Sequence, residues 1–497
     1  GCAQLKKAIV HGDSIDETAF RGCVLLTEVT VGNDIQSIAK GAFNSCRNLQ
    51  SMTLPFIGDR YRTEAETERY PLGYIFGQVA YDGAVATEQE YYLDGDIKTT
   101  YYIPLALKNI SITGTNIIIS KSFLNCNTLT SVKISDSVIN IGNNAFENCS
   151  SLISIEMPSN ITGIGNSTFA NCSSLISIEI PNIVTDIGEN AFVNCSSLTS
   201  IDIPSSVITL DNYAFCGCSG LKEVNFGENS QLTSIGISTF SDCDNLITME
   251  VPNSVKTIRK AAFYNCNSLV SITLPFVGEN GYGYGNFGYI FGAEDSSFNS
   301  EYVPLSLENV FITGGERINE DAFKNCSSLV SIEIPNSVTS IGAAAFSGCS
   351  NLQSITLPFV GESVNYSSYG TKNALFGYIF GTNMYTGSTA VKQYYSDAEL
   401  DYINYYIPNS LRSVKLTGRE MPFGAFYGCK ILTNIEIPSG VKTIAKKAFA
   451  VCSSLTSIKI PSSVTSIGSS AFAACSSLTS IKIPSSVTSI GSRAFSG

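Results

Sequence analysis

Apolar and polar positions in this chain fall into one pattern that returns about every 23 residues. The last two copies show it cleanly: 452–474 read CSSLTSIKIPSSVTSIGSSAFAA and 475–497 read CSSLTSIKIPSSVTSIGSRAFSG. Leu455-x-x-Ile458-x-Ile460 ends in apolar–polar alternation, which predicts a strand. Pro461 has no N–H to give to a ladder and stops it. Val464 and Ile467, three apart, turn inward again on a return path, and Gly468 follows. Ala39, Asp211, Arg259 and Ala445 replace that glycine in other copies, so the position needs no left-handed backbone. Ala471, Phe472 and Cys475 then predict a short helical or 3-10 turn, with Phe and Cys on its inner face.

The beat is carried by Phe at 20, 43, 123, 146, 169, 192, 215, 240, 263, 323, 346, 426, 449, 472 and 495. A Cys stands three residues after each Phe except the last. A fixed period of this size predicts a solenoid in which each unit buries its apolar face against its neighbours. The strands should form one parallel sheet and the Phe side chains one column, each contributing about 1.5–3 kcal/mol when buried. Seventeen strand modules can be counted, led by Leu residues from Leu26 to Leu478, and a degenerate one around Leu5–Val10 reads as an N-terminal cap. At about 4.8 Å per strand the arc would span on the order of 80 Å. The pattern marks one solenoid domain over 1–497.

Three insertions interrupt the beat. The Phe spacing widens between Phe43 and Phe123, Phe263 and Phe323, and Phe346 and Phe426. Each insertion opens on Leu-Pro-Phe-Ile/Val-Gly and carries Gly-Tyr-Ile-Phe-Gly (73–77, 288–292 and 377–381). Each ends on a strand motif led by Leu107, Leu307 or Leu411. Each is therefore an extra repeat whose strand stays in the sheet, while a loop bulges out over about 56–103, 276–303 and 359–407. Of the 24 Tyr, only Tyr213, Tyr264 and Tyr427 lie outside these loops. Disordered segments are poor in aromatics, so the loops should fold. The Tyr-Ile-Phe tripeptides read as satellite cores that pin them. Tyr91, Tyr92, Tyr282, Tyr284, Tyr366, Tyr369, Tyr394 and Tyr395 are candidate ligand contacts, because tyrosine gives large contact area at low entropy cost.

Between the last two apolar positions of each strand one residue points to solvent. In the middle of the chain this column reads Lys133, Glu156, Glu179, Asp202, Asn225, Glu250, and at the C-terminal end Lys415, Glu436, Lys459, Lys482. Like charges on neighbouring strands repel, so Glu156, Glu179, Asp202 and Glu250 are candidates for a basic partner or a cation; the alternative is a solvated face. No D-x-D-x-D loop supports calcium.

The strand motif with Ile-Pro after it, Ile-Gly-x-x-Ala-Phe-x-x-Cys after the return and a 23-residue period closely resembles the BspA-like (Treponema pallidum-type) leucine-rich repeats. The resemblance covers nearly all of the chain outside the insertions. It implies a curved right-handed α/β, β-rich leucine-rich-repeat solenoid, with the parallel sheet on the concave face and short helical or 3-10 turns on the other side. It also implies a surface-exposed or secreted protein of a host-associated microbe, with family members that bind host matrix proteins or other cells.

Composition narrows the chemistry. A formal net charge of −12 argues against nucleic acid and anionic membranes. No apolar run approaches the ~18–20 residues of a membrane span. Fourteen of the 16 cysteines occupy one repeat position, the others being Cys2 and Cys216. Stacked side chains point the same way and do not face each other, so free buried thiols are expected. His11 is the only histidine. That leaves no partner for a Ser-His or Cys-His nucleophile in the repeats, and no phosphate loop is present. No enzyme, metal or cofactor is expected. Asn-Cys-Ser at Asn148, Asn171, Asn194 and Asn325 matches a glycosylation sequon but comes free with the repeat.

Gly1-Cys2 could be a trimmed lipoprotein junction. The stop at Gly497, without a polar cap, suggests a longer natural chain. The expected function is monomeric, non-enzymatic binding of an extracellular protein or glycan through the strand face and Tyr-rich loops. The alternatives are a structural spacer without a ligand and, more weakly, an intracellular scaffold.

Overall fold

A computed structural model describes residues 2–62, 68–93, 96–282, 285–364, 371–398 and 400–497. Two compact units make up the chain, Gly1–Leu246 and Ile247–Gly497. In the first, a six-stranded parallel sheet runs Lys7–Val10, Glu28–Val31, Ser51–Leu54, Asn109–Ile112, Ser131–Ile134, Ser154–Glu156. The degenerate module around Leu5–Val10 forms the Lys7–Val10 strand, paired with Glu28–Val31. Ser200–Ile203 and Glu223–Phe226 continue the same face. In the second unit seven parallel strands run from Thr248–Glu250 to Asn434–Glu436. Register is in phase throughout: Val132 faces Ile110 on one side and Ile155 on the other. The strand after each insertion does stay in the sheet. Asn109–Ile112 pairs with Ser51–Leu54, Asn309–Ile312 with Ser271–Leu274, and Ser413–Leu416 with Ser354–Leu357.

Proline ends the strand and also shapes the turn. Its carbonyl accepts from the N–H three residues on, as in Val207 to Pro204 and Val464 to Pro461, both 3.1 Å. This brings each Val back into the core, where both are fully buried. The return path forms two-residue parallel bridges, such as Gly163–Ile164 with Asp186–Ile187 and Thr209–Leu210 with Ser234–Ile235.

The Phe column is a stacked spine within each unit. Phe123, Phe146, Phe169, Phe192, Phe215 and Phe240 follow one another at 4.8–5.5 Å between ring centroids, with interplanar angles of 4–14°. Phe426, Phe449, Phe472 and Phe495 do the same at 5.1–5.7 Å. At the second and third insertions the loop supplies the missing rings: Phe346 meets Phe380 and Phe376 meets Phe426, and Phe291 and Phe287 play these parts between Phe263 and Phe323.

The turn face differs from the expected helical turns. The residues two before and two after each of the fifteen Phe have positive φ, for example Asn144 (58°) and Asn148 (60°) around Phe146. No helix survives this alternation. Alternate N–H groups instead point along the solenoid: those of Asn144, Phe146 and Asn148 donate to Asn166, Thr168 and Ala170 in the next repeat at 2.8–2.9 Å. The alternating N–H groups of Glu147 and Cys149 donate back within the turn, to Asn144 and Phe146. A second inter-repeat ladder therefore backs the sheet, and the fold is mostly β with very little helix. Asparagine at many of these positions tolerates the left-handed region, because its short polar side chain can bond locally.

Candidate functional site

The cysteines belong to the scaffold. All 14 repeat thiols are buried and free. Many of their S–H groups reach the Phe carbonyl of the preceding repeat, as Cys149 to Phe123, Cys172 to Phe146 and Cys452 to Phe426, all 3.2 Å. Burial pushes the thiols of Cys46 and Cys172 up to about 12, so the nucleophilic thiolate is not available near neutral pH. His11 lies exposed, its Nδ1 3.1 Å from Asp34 Oδ1. Among the described residues no three His, Cys, Asp or Glu converge as metal ligands.

On the strand face Glu156, Glu179, Asp202 and Glu250 are all exposed. Two of them have partners within the chain. Lys133 Nζ lies 2.6 Å from Glu156 Oε2, and Asn225 Nδ2 donates to Asp202 Oδ1 at 3.0 Å. The repulsion expected along the acidic column is thus relieved at its two flanks. Between Ser154–Glu156 and Ser200–Ile203 the strand ladder lapses, at the repeat that carries Glu179. The same happens at Lys459 and Lys482, again where neighbouring outward residues share a sign.

The described parts of the insertions are held by a device the sequence reading missed. In each, one buried side-chain amide sews the loop to the repeat that follows. Gln393 Oε1 accepts from the Gly377 N–H at 2.7 Å, and its Nε2 donates to the carbonyls of Tyr427 and Ala425. Gln89 accepts from Gly73 and donates to Leu124 at 2.7 Å. Asn299 accepts from Gly288 and donates to Lys324 and Ala322. All three amides have no exposed surface. The acceptor just past the repeat Phe (Leu124, Lys324 or Tyr427) is equivalent in each. The first glycine of Gly-Tyr-Ile-Phe-Gly donates this bond, and in the first and third insertions a side chain there would collide with Tyr101 or Tyr405 ring atoms. One signal was available: the glutamine stands 16 residues after that glycine in two of the loops.

Gly-Tyr-Ile-Phe forms a 3-10 turn over Leu72–Ile75, Phe287–Phe291 and Phe376–Ile379. Its Ile carbonyl accepts from the preceding repeat's Phe N–H: Ile75 from Phe43, Ile290 from Phe263, Ile379 from Phe346. The tripeptides therefore pin the loops, with Ile and Phe buried and Tyr half-buried. The first and third insertions then send out antiparallel hairpins, Ala84–Leu93 with Asp96–Pro104 and Ser388–Tyr394 with Tyr402–Pro408. The second instead closes with short helical turns over Ser296–Tyr302.

The candidate tyrosines do not share one environment. Tyr91 and Tyr92 are half-buried on the first hairpin; Tyr91 stacks on Tyr70 at 5.5 Å, and the Arg69 guanidinium sits 4.5 Å over the Tyr92 ring. Tyr394 is half-buried against Tyr427 and Tyr402, with Lys392 Nζ 3.7 Å over the Tyr402 ring. Tyr395 is half-buried near Asp401. Tyr282 stands 84% exposed. Tyr284, Tyr366 and Tyr369 lie outside the described residues.

Each unit also carries a groove at an equivalent place, which sequence reasoning did not find. It lies between the segment after Gly-Tyr-Ile-Phe-Gly and the turn two repeats before. In the first unit it encloses about 230 Å³ beside Glu17, Arg21, Asn44 and Val79. In the second it encloses about 400 Å³ beside Glu320, Lys324, Ser347 and Met384. Glu17 and Glu320 both stand three residues before a repeat Phe, and Arg21 and Lys324 one after. An acid and a base thus recur at the mouth, with an exposed apolar residue opposite: Val79 (59%) or Met384 (78%).

Stacked parallel strands, an inward Leu-Ile-Ile pattern and a buried Phe–Cys spine define a leucine-rich-repeat solenoid, a fold that generally serves as a non-enzymatic scaffold. The family model for the BspA type leucine rich repeat region, with six copies of the repeat, matches residues 2–60, 96–222, 185–284, 302–415 and 395–497. The chain belongs to that family. Among solved structures, a leucine-rich repeat protein from Bacteroides ovatus is 24% identical, covering 84% of this chain and 92% of that one with a TM-score of 0.33. A leucine rich cell surface protein from Faecalibacterium prausnitzii is 26% identical over 81% and 95%, with a TM-score of 0.36. A T. pallidum leucine rich repeat protein is 20% identical over 49% and 77%, with a TM-score of 0.20. Comparison with curated proteins gives no match. No helix among the described residues is long and apolar enough to cross a membrane.

Proposed function

We propose that this chain is a cell-surface or secreted, non-enzymatic, adhesin-like binding protein for an extracellular protein or glycan. The ligand meets the strand face and the Tyr-rich insertions. One observation carries this reading: both units hold an equivalent groove, built by a loop that a buried amide pins to the scaffold. A rigid loop loses little entropy on binding, so its contacts convert efficiently into affinity. Tyr282 and Met384, exposed beside pinned elements, are the contacts of first choice. Tyr91, Tyr92, Glu156, Glu179 and Asp202 in the first unit, and Tyr394, Tyr395 and Glu250 in the second, are the remaining candidate contacts.

The test is a binding screen of the full chain against matrix proteins and glycans. It compares the intact protein with a variant lacking 359–407 and with Glu320→Ala/Lys324→Ala. Loss of one captured ligand in both variants supports the reading; equal retention by all three proteins removes the loops from it. The half-burial of Tyr91, Tyr92, Tyr394 and Tyr395 favours the second reading, a structural spacer, for which the screen returns no ligand.

A further inference from the structure

Charge is not spread evenly along the chain. Residues 402–497 hold ten Lys and Arg against two Asp and Glu, although the whole chain has a net charge of −12. Lys415, Lys459 and Lys482 stand on the strand face of these last repeats, and all three are exposed. Lys415 faces Glu436 in register, but no salt bridge joins them. Arg419 runs its stem over Gly440 on the turn that follows the Lys415 strand, and Lys442 lies two residues further along. Among the described residues none of these five cations has an ion-pair partner. On the acidic column, by contrast, Lys133 and Asn225 partner Glu156 and Asp202 within the chain. One carboxylate, Glu436, stands among these five cations; the excess of like charge works against folding, and an anionic partner removes that cost.

We propose that the strand face of the last four repeats, with the turns that follow it, binds an anionic polysaccharide bearing carboxylate or sulfate groups. The lysines recur from repeat to repeat on one face, which suits a linear polymer. Beside the single carboxylate of Glu436, the face around the lysines shows hydroxyls from Thr456, Ser457, Thr479 and Ser480, all exposed. These match sugar hydroxyls. A nucleic acid would look for aromatic faces on which to stack bases. Here Phe449 and Phe472 are locked in the spine, and the nearest tyrosines already carry Lys392 and Lys447 against their rings. The inference goes beyond the loop-centred reading, and loss of loop-dependent capture leaves it untouched.

The test passes the full chain over immobilised heparin, polygalacturonate and neutral dextran at low salt. The expected result is retention on one or both polyanions, release by salt, and no retention on dextran. Exposed charge pairs contribute modestly, so the triple variant K415Q/K459Q/K482Q should bind about tenfold or more weakly. K459Q and R419Q alone should fall between, which keeps the test valid if the triple variant folds poorly. Glu228→Gln, an exposed position outside the candidate surfaces, should bind no more weakly than the parent. Three outcomes overturn the proposal: no retention on either polyanion, equal binding by the lysine variants, or single-stranded nucleic acid held as tightly as the polysaccharides.

Discussion

Replacing Gln393 by Ala should open the third insertion and leave the repeats standing. The side chain is fully buried. It bridges the Gly377 N–H at 2.7 Å and the Tyr427 carbonyl at 3.1 Å, with a weaker contact to Ala425 at 3.4 Å. Truncation leaves one buried donor and one buried acceptor unanswered, each costing about 1–3 kcal/mol. Some relaxation is expected, so a net loss of about 2–4 kcal/mol is reasonable. The loss should be local. A solenoid is close to a one-dimensional array, and the hairpin is an appendage whose neighbouring strands Ser354–Leu357 and Ser413–Leu416 pair directly with each other. The assay is amide hydrogen exchange across Ser388–Pro408, read against the Ser331–Glu333 and Asn434–Glu436 strands. At about 1.4 kcal/mol per tenfold, opening of the hairpin should accelerate by roughly 30- to 1,000-fold while exchange in the strands hardly changes. Gln393→Glu, which keeps an acceptor and loses the donors, should fall between. Unchanged hairpin protection in Gln393→Ala, or an equal loss in the strands, would refute the idea that this amide fastens a separable loop.

Phe192 is buried, with its ring 5.3 and 5.1 Å from its neighbours in the stack, so Phe192→Ala should cost about 3–5 kcal/mol, measured by urea unfolding. Asn171 has φ 59° and sits in an amide ladder, donating to Asn148 Oδ1 and accepting from Asn194, both at 2.8 Å. Asn171→Ala should lose more stability than Asn171→Gly by about 1 kcal/mol, because glycine meets no steric penalty there; equal losses would deny the left-handed turn. Alkali should unfold the protein early. Burial pushes the Cys46 thiol up to about 12 and the Cys475 thiol to about 11, from an ordinary 9.0. A pKa raised in the folded state contributes stability that is complete below about pH 9 and is lost as pH rises through the folded values. Melting temperature should therefore fall from about pH 9 upward, and less steeply in Cys46→Ala/Cys475→Ala; a flat profile to pH 10.5 would count against buried, protonated thiols.

The sequence by itself determined the solenoid. A side chain repeated every 23 residues must meet its own copies, so Leu455-x-x-Ile458-x-Ile460, the Phe column and the Cys column could be placed from spacing alone. It also located the insertions and their rejoining strands, because an apolar strand motif without a sheet would be left exposed. The turn conformation was not legible: a Phe–Cys spacing of three fits a 3-10 turn, and only the inter-repeat hydrogen bonds show that the backbone alternates in hand around each Phe. Gln89, Asn299 and Gln393 escaped notice because a polar residue earns burial only from partners that the fold brings to it, here carbonyls more than twenty residues away in the chain. The same holds for the recurring grooves and for the counter-charges on the acidic face. Periodicity says which residues stack, whereas partners that come from different loops and repeats exist only once the chain has closed around them.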